Sequence, residues 1–140
     1  MKRRSFETRH LEVFLAAITA CFGIWLLLPG DSMGSPAWAE ARGITSEANF
    51  GRWFLFNGLT HFGWLAVNGG VWWSPLIRLA ATAGSSALYL ILALSIAAYD
   101  INSPGVFTYF ALAIGAAVCC AYAWRDAILA ARVYRVSHNI

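Results

Sequence analysis

Apolar residues along the chain gather into four long runs, separated by short polar turns and by one longer polar stretch. A helical run of about 18 residues or more reaches across the hydrocarbon core of a bilayer, because each residue adds about 1.5 Å. The pattern predicts an all-α integral membrane protein, a four-helix bundle whose helices run up, down, up and down. The single transmembrane domain of residues 1–140 is predicted to contain spans at 11–28, 53–73, 79–99 and 106–124, an extracytoplasmic loop at 29–52 and a cytoplasmic tail at 125–140.

The second predicted span carries polar residues on one helical face. Asn57, His61, Trp64 and Asn68 follow one another at intervals of four, three and four residues, which is the helical repeat for one face. Lipid offers no hydrogen-bond partner, so this face is expected to look toward other helices or toward water held between them. Asn57, His61 and Asn68 therefore form a candidate intramembrane polar stripe.

His61 is the first functional candidate, because ionisable residues inside a membrane often belong to a functional site. Three interpretations stay open: a packing histidine bonded to Asn or Ser neighbours, a residue on a proton or solute path, and a ligand in a haem or quinone site. Bis-histidine haem would need a second intramembrane histidine, whereas His10 and His138 fall near the chain ends. No cofactor and no metal are predicted. No enzyme is predicted either, because no nucleophile stands beside a base and no Gly-rich phosphate loop follows a strand.

Small and polar residues predict close helix packing in the second half of the chain. The candidates on the third and fourth spans are Gly84, Ser85, Ser86, Tyr89, Ala111 and Gly115. Two charged residues are interpreted as interfacial. Arg78 is expected to extend its stem to the membrane surface, and Asp126 is expected to be a helix-end charge.

The 29–52 loop and the first span each leave alternatives open. Ser35-Pro36 predicts a short helix from Pro36 to Arg42 that Gly43 ends, within a solvated connector or, alternatively, a contact surface for a partner. The first span is interpreted as a retained anchor. A cleaved signal ending near Ala39 and a lipoprotein box ending at Cys21 are the alternatives.

Composition and charge agree with the hydrophobic pattern. The chain has 140 residues, of which 59% are hydrophobic and 12% charged, and its mean hydropathy is +0.59, which is too apolar for an ordinary soluble domain. Eight Lys or Arg fall on the side of the two termini and two on the other. The bias predicts cytoplasmic termini, and because the charges sit at helix ends no nucleic-acid binding is expected.

Four segments carry a resemblance to a known class of protein: LLLPGDSMGSPAW, NGGVWWSPLIRLAAT, NSPGVFTYF and AWRDA. In them the chain resembles small four-span membrane proteins of tailed bacteriophages and prophages, among which are holin-like lysis proteins. The resemblance implies a protein of the bacterial host inner membrane that oligomerises and permeabilises that membrane. The alternative is a non-enzymatic interaction or structural protein, acting in superinfection exclusion or anchoring a complex through residues 30–52. Its expected partners are the lipid bilayer, further copies of the chain and, in the alternative, an unidentified membrane or extracytoplasmic protein.

Overall fold

The computed structural model describes the backbone of residues 4–67 and 73–138, and the side chains of residues 9–67 and 73–134. Over these ranges the chain forms helices and no strand, so the predicted all-α class is confirmed. The helices are α1 (Arg4–Leu27), a single 3-10 turn (Pro36–Trp38), α2 (Ala39–Ile44), α3 (Glu47–Ala66), α4 (Ser74–Tyr99) and α5 (Pro104–His138).

Serine side chains cap the start of two helical segments. The Ser35 hydroxyl accepts a hydrogen bond from Ala37 N at 3.4 Å, as predicted for the start of the short helical segment. The Ser46 hydroxyl accepts one from Asn49 N at 3.3 Å. This cap starts α3 at Glu47, six residues before the predicted span, because the capping group precedes the apolar run.

Three helices are long and apolar enough to cross a membrane, among the residues described: Arg9–Leu27 of α1, all of α4, and Pro104–Tyr134 of α5. The protein is therefore suited to a bilayer, as predicted. Helix α3 does not join this group, because its 20 residues include several charged or strongly polar ones. They are Glu47, Asn49, Arg52, Asn57 and His61. Residues 68–72 of the predicted second span lie outside the described residues.

Helices α1 and α3 pack against each other in opposite directions, with their backbones in close contact. A methyl group added at Gly58 would lie 2.5 Å from Ala20 N, and one at Gly23 would collide with the backbone of Leu55. Glycine is required at both positions, because any side chain would force the helices apart.

Helix α4 contacts both α3 and α5, and α5 contacts α1. The Ser86 hydroxyl donates to Ala113 O at 3.0 Å, while Cys120 on α5 lies against Leu79 near the start of α4. This order shows that α4 and α5 are antiparallel. One end of the assembly consequently brings together the start of α1, the end of α3, the start of α4 and the second half of α5.

The 31–46 segment folds back onto the other end of the helices. The Ser95 hydroxyl on α4 accepts a hydrogen bond from Ala41 N at 3.1 Å and donates one to Ala37 O at 3.0 Å. The Glu47 carboxylate accepts hydrogen bonds from Ser32 N and Met33 N, and Met33 is buried in the core. The hydroxyl of Ser95 and the carboxylate of Glu47 therefore satisfy backbone groups of this segment and hold it against the helices, while many of its residues, Arg42 and Ile44 among them, stay exposed. Its helix also continues past Gly43 to Ile44.

Candidate functional site

A buried ion pair joins α1 and α4 at the end of the protein where both of these helices begin. The Glu12 carboxylate accepts hydrogen bonds from Arg78 Nε at 2.9 Å and from Arg78 Nη2 at 2.5 Å. Glu12 is 0% exposed and Arg78 is 4% exposed. The pairing is bidentate, which is the strongest arrangement for a guanidinium and a carboxylate.

The predicted interfacial position of Arg78 was therefore wrong. Its side chain turns inward, because Glu12 offers a carboxylate at the same level of the protein on a neighbouring helix. An unpaired charge at either position would be costly to bury in this apolar interior. Each residue is thus the reason that the other is tolerated there.

His61 on α3 lies beside the ion pair without a hydrogen bond of its own. Its Nε2 is 3.6 Å from Glu12 Oε2, beyond the usual range of an N–H···O bond. The side chain is 0% exposed, and neither ring nitrogen has a hydrogen-bond partner among the described residues. The interpretation of His61 as a packing residue bonded to Asn or Ser was therefore wrong. Its nearest ionic partner is a carboxylate from α1.

Asp126 on α5 lies close to the same ion pair. Arg78 Nη1 lies 3.6 Å from Asp126 Oδ2, and the Asp126 side chain is 40% exposed. Helix α5 continues to His138, so Asp126 is not the helix-end charge that was predicted. Glu12, His61, Arg78 and Asp126, hereafter the charged cluster, come from four different helices. With a neutral imidazole, its two carboxylates and one guanidinium carry a net charge of −1.

A cleft opens between α1 and α3 beside the charged cluster. It has a volume of about 350 Å³ and is lined by Arg9, His10, Val13, Leu65 and Ala66. Val13 follows Glu12 in sequence, and Leu65 lies one helical turn after His61. The cleft therefore lies about one helical turn, about 6 Å along α3, from the level of the imidazole.

The residues of the predicted polar stripe have different contacts. Asn57 Nδ2 donates to Ala81 O at 2.9 Å and to Ser85 Oγ at 2.7 Å, so its amide binds α3 to α4. His61 belongs to the charged cluster, one turn further along α3. Asn68 lies outside the described residues. Asn57 and His61 thus both face other helices of the same chain.

All four predicted packing residues on α4 lie at helix contacts. A methyl group at Gly84 would lie 2.8 Å from Asn57 Oδ1, and the buried Tyr89 hydroxyl lies 3.1 Å from Thr19 Oγ1 of α1. Ser85 and Ser86 make the contacts to Asn57 and α5 given above. On α5, by contrast, Ala111 is exposed, and the nearest atom to a methyl group at Gly115 would be Leu15 Cδ1 at 3.9 Å. The surface of α5 around Ala111 and Gly115 is therefore only loosely covered by other helices of the described chain.

The charged cluster was not predicted from the sequence, although one signal of it was present. Glu12 and Arg78 are opposite charges, each lying within or beside an apolar run, and both fall toward the same side of the predicted membrane. Such a combination predicts a pair once the topology is drawn. In the part of the chain that the structure describes, no group of three or more His, Cys, Asp or Glu is arranged to hold a metal ion.

Comparison of the chain with models of protein families, with curated proteins and with solved structures finds no match. Its function is therefore inferred from the geometry of the charged cluster and of the helices that carry it.

Proposed function

We propose that the protein is a holin-like membrane protein of phage or prophage origin, which permeabilises the bacterial inner membrane without enzymatic activity. Copies of the chain associate in the bilayer, and their helices rearrange to surround water. The observation that carries the proposal is the charged cluster, in which three buried polar side chains and the partly exposed Asp126, from four helices, meet in an apolar protein.

A four-span bundle with cytoplasmic termini is part of this proposal. Helix α3 lies antiparallel to α1 and also contacts α4, so it follows the two helices into the bilayer. Its 20 residues extend about 30 Å, which matches the hydrocarbon thickness. Its polar side chains Asn57 and His61 point to other helices and do not require lipid contact. The positive charges near the termini favour the cytoplasmic orientation.

The cost of burying the charged cluster supports a second, hydrated arrangement. The imidazole of His61 in the cluster is fully buried, and neither of its nitrogens has a hydrogen-bond partner among the described residues. Buried polar groups without hydrogen bonds are unfavourable, and water between the helices would satisfy them. Asn57 and Ser85 lie about one turn away in the same interior, so separation of α3 from α4 would extend a polar lining toward the membrane centre.

The outward face of α5 supports association of copies. Phe107, Phe110 and Ile114 are exposed on the same helix as the small residue Ala111. Apolar side chains with small residues between them suit contact with lipid and with another helix alike. Helix–helix contact between copies can therefore form without unfolding the protomer.

Controlled expression in a bacterium tests the proposal. We expect induction to arrest growth and to depolarise the inner membrane abruptly, as followed with a potential-sensitive dye. His61→Leu and Asn57→Leu should change the time of depolarisation, because they remove polar groups from the proposed lining. Leu94→Ala is the matched control, since Leu94 is 60% exposed on the outside of α4. Normal growth and potential, with the protein present in the membrane fraction, would exclude permeabilisation.

The folded 31–46 segment favours a second candidate function, the binding of another protein outside the cytoplasm. The segment is held to α4 while Ile44 stays 58% exposed beside the exposed Arg42. We expect a co-purifying partner to be lost in Ile44→Asp and retained in Leu94→Ala. A set of co-purifying proteins that is the same in both variants would exclude this function.

A further inference from the structure

We propose that the charged cluster is a proton-binding site, in which His61 takes up one proton from water in the cleft and then binds Glu12. The site concerns the resting protein and stands whether or not the protein permeabilises a membrane.

The geometry around His61 supplies the first argument. The imidazole is fully buried, and its Nε2 faces Glu12 Oε2 at 3.6 Å without a hydrogen bond. A charge-assisted N–H···O bond is about 2.7–2.9 Å long. A closure of less than about 1 Å between α1 and α3 would therefore bring a protonated imidazole into full contact with the carboxylate.

The charge of the cluster supplies the second argument. Among the residues whose side chains the structure describes, Arg78 is the cation paired with Glu12 and Asp126, which leaves an excess of one negative charge around a neutral His61. One proton on His61 makes the four side chains neutral as a group. An interior of low polarity favours the neutral arrangement.

The described surroundings of His61 contain no second cation at the cluster that would oppose this uptake. From α1 the ionisable neighbours are Glu12 and, at the cleft, Arg9 and His10. Helix α4 contributes Arg78, already bonded to Glu12. Helix α5 contributes Asp126 and the buried Cys119, which lies within electrostatic reach of Glu12 and Arg78. Arg9 is partly exposed, so water screens its charge.

The step itself transfers one proton. The imidazole is fully buried and does not line the cleft, so α1 and α3 must separate transiently to admit water to it. A hydronium ion then gives up a proton and becomes water, and the lone pair of the unprotonated ring nitrogen accepts that proton. Both ring nitrogens then carry hydrogen, and Nε2–H donates to Oε2 of Glu12. Proton binding consequently ties α3 to α1 and loss of the proton frees His61 from Glu12.

Nuclear magnetic resonance of the full chain in lipid nanodiscs, with ¹⁵N-labelled histidine rings, tests the site. The His61 signals are those lost in His61→Gln. Between about pH 8 and about pH 5 we expect them to change from neutral imidazole to imidazolium, with a strongly deshielded Nε2–H proton. Signals that stay neutral over this range would overturn the proposal.

Charge variants test whether the cluster is responsible. Asp126→Asn keeps the buried ion pair and should weaken proton binding at His61 about threefold, a shift of about half a pH unit to lower pH. Glu12→Gln should weaken it by about tenfold or more. Glu40→Gln is the matched control, because it removes an exposed carboxylate at the opposite end of the protein. If Glu12→Gln fails to fold, Asp126→Asn decides the matter. A titration midpoint that is the same in Asp126→Asn, Glu40→Gln and the unchanged protein would refute the coupling.

Discussion

Replacement of Arg78 by Leu should destabilise the protein far more than replacement of Arg78 and Glu12 together. In Arg78→Leu the fully buried Glu12 carboxylate loses both hydrogen bonds, at 2.9 and 2.5 Å. A hydrogen bond to a charged group contributes about 1.5–3 kcal/mol, and removing one partner of a buried pair costs about 3–5 kcal/mol. We therefore expect the free energy of unfolding to fall by about 3–5 kcal/mol.

The double variant removes both charges from the interior. Two leucines leave no unpaired buried ion, and such replacements are often neutral or stabilising. We expect the Glu12→Leu/Arg78→Leu protein to lie within about 2 kcal/mol of the unchanged protein. The coupling energy between the two positions should accordingly exceed about 2 kcal/mol, well above what independent sites show.

Unfolding in mixed micelles measures these differences. The folded protein in a mild detergent is titrated with a denaturing one, and tryptophan fluorescence and far-ultraviolet circular dichroism follow the transition. Arg42→Gln is the control, because Arg42 is exposed on α2 and its loss should cost less than about 0.5 kcal/mol. Single variants that are no less stable than the double variant would refute the buried-pair reasoning.

Three further predictions concern helix packing and the 31–46 segment. Gly58→Val should lower the free energy of unfolding by about 1–3 kcal/mol, because its side chain would collide with the Ala20 backbone. The control is Gly43→Ala, where nothing lies within 4 Å of the added methyl group. This control should be neutral or slightly stabilising in the same unfolding titration. Ser95→Ala should leave Ala41 N and Ala37 O without their hydroxyl partner and raise the rate of amide hydrogen exchange at Ala41 by about fivefold or more. An unchanged exchange rate would show that these two hydrogen bonds do not hold the 31–46 segment to α4. Tyr89→Phe should cost about 1 kcal/mol in the unfolding titration through loss of the contact with Thr19, whereas no loss would show that this contact is not stabilising.

The charged cluster couples the helices in a way that apolar contacts do not. Leucine side chains tolerate sliding between helices, because lipid and protein interiors are similarly apolar. The pair between Glu12 and Arg78 fixes one register of α1 against α4 and makes any other register costly. A protein that must keep one arrangement until it changes as a whole would benefit from such a contact.

Local pattern was sufficient for the helices and for their membrane character. The local signals are the apolar runs of membrane-spanning length, the Ser35 cap and the proline at the start of α5. Each depends on residues that are close in sequence, so it can be recognised without the tertiary structure. The face of α3 that carries Asn57 and His61 was predictable for the same reason. The start of α3 was placed too late, since its cap at Ser46 lies outside the apolar run.

Only the tertiary structure decided which polar groups meet. Glu12 and Arg78 are 66 residues apart, and Ala41 and Ser95 are 54 apart, so no local period relates them. Arg78 at a helix start could extend to the membrane surface or turn inward, and the nearest carboxylate on a neighbouring helix made the difference. The sequence by itself determined that this chain is helical and apolar enough for a bilayer. The packing of α1, α3, α4 and α5 determined that its few buried charges lie together at one end, because electrostatic pairing depends on distance in space.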